Sequence, residues 1–375
     1  MRILLLSDDM ITGGIARHVT DLANGLSERG HVVVVAATDG PMRKRLRTDV
    51  EFLALPPLKS AVGRRNYPGI LASVWKVNRC VRTNGIELLH SHMRISDLMG
   101  RVIAKRARIP QVSTCHSLFS NLRFFSRFGK ETITSSDVVR TILIEKFGKD
   151  PSRVRTIRLG IRPLAVQTPE EVRKCKERIG ASGKRIVASI GRLEKAKDRI
   201  TLLRAINILK IDRLPEDVMF VIVGDGPERA VLQRTIHDLG IESCVHMLDS
   251  STNVVDIFNA AEFCVISSVR EGGTLYVNLE AASLEKPHIA TSVGGIPEFV
   301  IDHKTGLLVP PESPEKLAKA IAFLLNNPNE VKRLGHNALL QYKEHHGYDR
   351  FIDETERVYR DVLTFSDEHP VAGRA

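Results

Sequence analysis

At 375 residues the chain is too long for one ordinary domain core and suits two cores of about 150–200 residues each. A 43% hydrophobic, 26% charged composition is that of a soluble globular protein, and no stretch approaches the ~18–20 apolar residues of a membrane span. The net charge of +11 is unevenly placed: residues 1–165 hold 28 Lys/Arg against 13 Asp/Glu, residues 166–375 hold 27 against 31, and the basic half suggests an anionic partner.

The N-terminal MRILLLSDD reads as a first strand, because Asp8 and Asp9 end the apolar run too early for a secretory signal. Gly13-Gly14 then opens a helical pattern through Leu22 and Leu26 that stops at Gly30, and VVVVAA (32–37) is the next strand. ELLHSH (87–92), QVSTCH (111–116) and ETITSS (131–136) are short strands that each end in polar residues. Alternation of this kind predicts a parallel sheet wrapped by helices, with ligands at the C-terminal strand ends.

Two basic stretches, PMRKRLRT (41–48) and LFSNLRFFSRFGK (118–130), suit an anionic membrane surface, the second by mixing Phe with Arg and Lys. An ordinary helix with a solvated basic face is the competing reading, and no nucleic-acid module accompanies the charge. His90 and His92 alternate on a strand end, but no Cys, Asp or Glu cluster stands beside them, so no metal site is expected. The five cysteines (80, 115, 175, 244 and 264) are odd in number and widely spaced, as reduced cytoplasmic thiols would be.

The pattern restarts after residue 165. Thr168 is a predicted N-cap, with Pro169 in the first turn and Gly180 as the stop. IVASIG (186–191), VMFVIVGDG (218–226), CVHML (244–248), EFCVISS (262–268) and PHIAT (287–291) are strands with helices between them. The expected organisation is therefore α/β, two Rossmann-like doubly wound domains over 1–165 and 166–349. The amphipathic stretch 350–363, with Phe351, Ile352, Thr355, Val358, Tyr359 and Val362 on one side, is a candidate to return to the first domain.

Four segments of the second half carry chemistry. GRLEKAKD (191–198) places Arg192 and Lys197 after a buried strand, two cations suited to a diphosphate. VGDGPE (223–228) is a tight strand-to-helix turn. EGGTLYVNLEA (271–281) lets the backbone approach a ligand at Gly272 and Gly273, turns a helix N-terminus toward an anion, and offers Glu280 to the hydroxyls of a ribose. TSVGGIPE (291–298) repeats the Gly-Gly turn, with Pro297 placed for a helix's first turn.

In order and type these motifs, with TGGIARH (12–18) and TCHS (114–117), resemble the family 4 glycosyltransferases of the GT-B fold over nearly the whole chain. The resemblance implies a nucleotide-sugar donor on the C-terminal domain, an acceptor on the N-terminal domain, reaction in the cleft with retention of anomeric configuration, and no cofactor or metal. By position Arg192 and Lys197 look like the pair that stabilises the departing diphosphate, Glu280 like the ribose-binding Glu, and Glu271 like the Glu that meets the donor sugar. His116 would lie beside the transferred sugar. Gly13 and Gly14 would approach the donor phosphate, and Gly224, Gly272, Gly273, Thr274 and Leu275 would line the donor. Eight residues separate Glu271 from Glu280 where family members typically have seven. The acceptor expected from the basic half is lipid-linked or a cell-surface polysaccharide, at the cytoplasmic membrane face. A sugar-nucleotide epimerase of the same architecture and an inactive partner subunit stay open as alternatives.

Overall fold

The structure, a computed structural model, describes residues 1–11, 13–58, 66–116, 129–273 and 275–368. The segment 118–128 and Thr274, both singled out above, lie outside the described residues. The chain divides into two compact units, Met1–Leu159 with Tyr348–Ala375, and Gly160–Gly347. The border falls ahead of the expected 165/166 because Ile161 is already tied to the second unit. Its N–H donates to the His346 carbonyl at 3.1 Å, and its own carbonyl accepts from the Tyr342 hydroxyl at 2.9 Å.

The first unit holds β1 (Arg2–Asp9), α1 (Gly14–Glu28), β2 (Val32–Thr38), β3 (Glu51–Leu55), α2 (Tyr67–Thr83), β4 (Leu88–Ser91), α3 (Arg94–Ala107), β5 (Gln111–Cys115), β6 (Glu131–Thr134), α4 (Asp137–Glu145) and β7 (Val154–Thr156). Its seven strands are parallel in the order β3-β2-β1-β4-β5-β6-β7. Because side chains alternate along a strand, Ile3 and Leu5 face one core and Leu4 and Leu6 the other. Both faces are covered, which is why these strands read as continuous apolar runs.

The second unit holds α5 (Pro169–Arg178), β8 (Arg185–Ile190), α6 (Arg199–Ile211), β9 (Val218–Val223), α7 (Arg229–Asp238), β10 (Val245–Leu248), α8 (Val254–Ala260), β11 (Ala261–Ile266), α9 (Tyr276–Ser283), β12 (His288–Thr291), β13 (Gly306–Val309), α10 (Pro314–Asn326) and α11 (Pro328–His345). Its six parallel strands run β10-β9-β8-β11-β12-β13. Thr168 caps α5 in a full capping box with Glu171, as the sequence predicts.

The last helix, α12 (Tyr348–Glu368), belongs to the first unit. Phe351, Ile352, Val358, Tyr359 and Val362 are buried in the core that α1 covers. Glu356, outside the apolar stripe, is buried too; His31 Nε2 lies 2.6 Å and Arg29 Nη1 3.4 Å from its carboxylate. Among the described residues no helix is long and apolar enough to cross a membrane.

In each sheet the strand order reverses beside the unit's first strand, at β1/β4 and at β8/β11. Open α/β sheets bind ligands outside the strand ends at such a point. The loops leaving these four strands carry Gly13-Gly14, His92, GRLEKAKD and Glu271.

Candidate active site

In the second unit the loop after β8 and the loop after β11 are joined by backbone. Val269 N–H donates to the Ala196 carbonyl at 2.9 Å, and the Ser267 hydroxyl to the Lys197 carbonyl at 2.9 Å. This brings together two residues that stand 74 apart in sequence: Lys197 Nζ lies 2.5 Å from Glu271 Oε1. The Ser268 hydroxyl donates to the same oxygen at 2.6 Å, and its carbonyl is held by Thr291 Oγ1 at 2.6 Å. Glu271 is buried and the Lys197 side chain is 18% exposed, so this is a largely desolvated ion pair at a strand-end loop.

Arg192 differs from its expected partner. Its side chain is 60% exposed and its guanidinium stands 3.8 Å from Glu194. Of two cations expected as a pair, one is thus held in a buried ion pair and the other is exposed. A third, Arg199, lies beneath them. It is buried, donates to the Lys197 carbonyl at 3.3 Å, and its Nε has no hydrogen-bond partner. Burial lowers its pKa to about 10, partly opposed by Glu271 and Asp198, so it stays charged at neutral pH. Arg199 follows Asp198, whose left-handed backbone (φ 40°) caps α6. No sequence signal marks the Arg beyond its place after the KAKD segment.

The glycines of this region are demanded by close backbone approach. At Gly224 (φ 148°) a Cβ would overlap the Gly191 carbonyl, and at Gly294 (φ 54°) the Glu271 carbonyl. The second Gly-Gly turn therefore packs on the Glu271 loop. It does not open a helix as expected: Ile296–Glu298 forms a single 3₁₀ turn in which Glu298 and Phe299 N–H bond to the Gly295 and Ile296 carbonyls, so those amides are already used. The α9 helix begins at Tyr276 after Leu275 with no side-chain cap, Gly272 and Gly273 precede it, and Glu280 is buried on it. Asn278 on the same helix is fully buried with neither side-chain polar atom bonded. It is a polar group the sequence reading passed over.

In the first unit Gly13 caps α1 with extended backbone, no side-chain cap, and open space where a Cβ would stand. Gly14 is exposed. The amides of this helix start are thus accessible to an anion. Behind them stands a group of histidines from three elements. His92 Nδ1 lies 3.4 Å from His116 Nε2, and His18 packs edge-on to His116 with ring centroids 4.6 Å apart. His90 packs tilted against His92 with ring centroids 4.1 Å apart, and is held by the Tyr359 hydroxyl at 2.6 Å and Thr114 Oγ1 at 2.7 Å. Phe351 covers His18. Helix α12 thus supports this group from behind.

Burial keeps these rings neutral: His116 falls to about 4, His90 to about 3, and His18 and His92 lie well below the ordinary value. One nitrogen from each of His18, His92 and His116 lies within 4.8 Å of the others, so these are the side chains that could share an ion among the described residues. The sequence reading weighed only His90 with His92, because α1 and the β5 end meet β4 only in the folded sheet. The His92–His116 approach is equally that of an N–H···N hydrogen bond between two neutral rings.

Residues 173–341 match the family model described as glycosyl transferases group 1, and residues 12–163 match that of glycosyltransferase family 4. The chain is 26% identical to the D-inositol 3-phosphate glycosyltransferase 2 of Catenulispora acidiphila over 92% of this chain and 90% of that protein. It is 26% identical to the N-acetyl-alpha-D-glucosaminyl L-malate synthase of Bacillus anthracis over 94% of each. Among solved structures, Anabaena Alr3699/HepE in complex with UDP-glucose superposes with a TM-score of 0.83 at 21% identity, covering 96% of this chain and all of that one.

Proposed function

The chain belongs to the family 4 glycosyltransferases, and from that footing we propose that it moves a sugar from a nucleotide-diphosphate sugar with retention of configuration and no metal cofactor. The observation that carries this reading is the buried Lys197–Glu271 pair at the β8/β11 reversal, with Glu280 on the helix that follows. The leaving diphosphate gains negative charge as its bond to the sugar breaks. A held Lys197, an exposed Arg192 and the uncapped start of α9 place positive charge and N–H dipoles for it. Glu271 shares Lys197 while no diphosphate is bound; a bound diphosphate competes for that cation. Glu280 serves the ribose, and His116 the transferred sugar.

The acceptor we propose is a lipid-linked or cell-surface glycan at the cytoplasmic membrane face, supported by the basic first half. A second reading has its own support: the relatives quoted above are named for inositol 3-phosphate and malate, small anionic acceptors that a basic domain would also attract. The test is a panel of nucleotide sugars offered to the purified protein, first alone and then with each acceptor class, with products identified. Turnover only with a lipid-linked acceptor supports the first reading, and turnover with a small phosphorylated or carboxylated polyol supports the second. An epimerised donor would show the isomerase alternative. Failure of the purified protein to bind or hydrolyse any donor would overturn the transferase reading.

A further inference from the structure

Helix α2 carries apolar residues on its outer face as well as its inner one. It buries Gly69, Ser73, Val77, Cys80 and Val81, and Ile70 and Val74 pack against the same core. Its largest apolar groups point outward: Tyr67 is 65% exposed, Leu71 71% and Trp75 63%. At a spacing of four residues these three form one stripe along the helix. Scattered exposed apolar residues are normal on a soluble protein, but an aligned aromatic-aliphatic stripe marks a surface that meets something apolar.

The charge around the stripe identifies what it meets. Lys76, Arg79 and Arg82 are exposed on α2, and Arg79 stands over the Trp75 ring at 5.8 Å. The neighbouring helix α3 carries exposed Lys105 and Arg106. Between them the two helices hold a single carboxylate, Asp97, and it is buried. The basic stretch 41–48 is a poorer candidate, since Arg43 is paired with Asp39 at 2.7 Å and Arg47 with Asp49 at 3.0 Å. Apolar rings flanked by exposed cations match the acyl-headgroup boundary of an anionic bilayer, where rings enter and cations meet phosphates.

We propose that the Tyr67–Leu71–Trp75 face of α2, with the cations of α2 and α3 around it, docks the protein on an anionic lipid surface. The inference rests on the reading that the acceptor is membrane-borne, and it names the surface that would carry the enzyme there. A second copy of this chain is the competing occupant of an apolar stripe; its positive charge on both sides disfavours that pairing.

Trp75 is the chain's single Trp, so its fluorescence reports this face alone. The experiment mixes the full chain with phosphatidylcholine vesicles, with or without phosphatidylglycerol, and records Trp emission, quenching by bromine-labelled lipid, and co-sedimentation. The expected result is a blue shift, quenching and sedimentation with the anionic vesicles only, weakened by salt. Leu71→Asp should weaken binding by about tenfold or more and Arg79→Glu by several-fold, both with unchanged thermal midpoints and unchanged hydrolysis of a soluble donor. An unshifted Trp75 emission, or vesicle binding that survives both substitutions, would overturn the proposal. So would a blue shift that grows with protein concentration without lipid, which would assign the stripe to self-association. Donor hydrolysis without vesicle binding sinks this inference alone; vesicle binding without donor hydrolysis sinks the transferase reading alone.

Discussion

Lys197 and Arg192 have the same expected role and opposite environments, so their substitutions separate chemistry from folding. Lys197→Ala leaves the buried Glu271 carboxylate with the Ser268 hydroxyl and the more distant Arg199 charge. Removing one partner of a buried pair costs on the order of 3 kcal/mol, so the denaturation midpoint should fall together with turnover. Arg192→Ala removes an exposed side chain and should leave stability within about 0.5 kcal/mol, while turnover falls by about 10²-fold if the guanidinium meets the leaving group. Denaturant titration beside initial rates checks both; wild-type rates in Arg192→Ala would remove that assignment. The buried histidines make a second residue-scale expectation. His90, His116 and His288 have folded pKa values of about 3 to 4, depressed by burial from about 6.5. The unfolded chain therefore binds more protons between those values. Their contribution is fully present above pH 6.5 and is lost as pH falls toward 4, each by on the order of 1 kcal/mol per pH unit. Thermal midpoints recorded from pH 8 to pH 4 should decline steeply below 6.5; a flat profile would show that these rings accept protons in the folded state.

At the scale of elements, the loops show what each glycine is for. Gly294→Ala forces a side chain into a left-handed turn and against the Glu271 carbonyl, so it should displace the Glu271 loop and weaken nucleotide-sugar binding by more than it lowers stability. Gly13→Ala meets neither strain nor a neighbour, so the fold should tolerate it; a loss of donor turnover there would come from a ligand occupying that space. Calorimetric titration with a nucleoside diphosphate, beside a thermal melt, distinguishes the two positions. The loops also mark how far the sequence could be read. Strand positions were legible because strands buried on both faces leave unbroken apolar runs, as in VVVVAA and VMFVIV, and Thr168 announced α5 through side-chain chemistry local to its own turn. The helix expected after Gly294-Gly295 was wrong: Pro297 fits a 3₁₀ turn as well as an α-helix, and packing on Glu271 decides which forms. Lys197 meeting Glu271, and His18 meeting His92 and His116, arise from the order of strands in the sheets, which periodicity does not encode.

For the whole molecule the decisive connection is the return of α12 to the first unit, the end of the chain completing the fold that its beginning starts. Gly25 on α1 has no room for a Cβ beside Ile352 and the Tyr348 hydroxyl, so this face of α1 is shaped to receive α12. The Tyr348 hydroxyl donates to the Asp21 carbonyl at 2.6 Å, Arg29 pairs with Asp353, and Glu356 holds His31. Through Phe351 and Tyr359 the same helix backs His18 and His90. Two substitutions of different severity follow from this. Tyr359→Phe keeps the ring and removes only the hydroxyl bonded to His90, which strands a buried ring nitrogen at a cost of about 1–3 kcal/mol. It should lower turnover with little change in donor affinity, because Glu280, proposed above to hold the donor's ribose, belongs to the other unit. A chain ending at Gly347 loses the helix altogether and exposes the apolar groove on α1. Limited proteolysis should then degrade 1–159 while the 160–347 fragment persists, since the second unit has its own cores. Survival of an intact 1–159 fragment would show that the histidine group and the basic surface hold their shape without the returning helix.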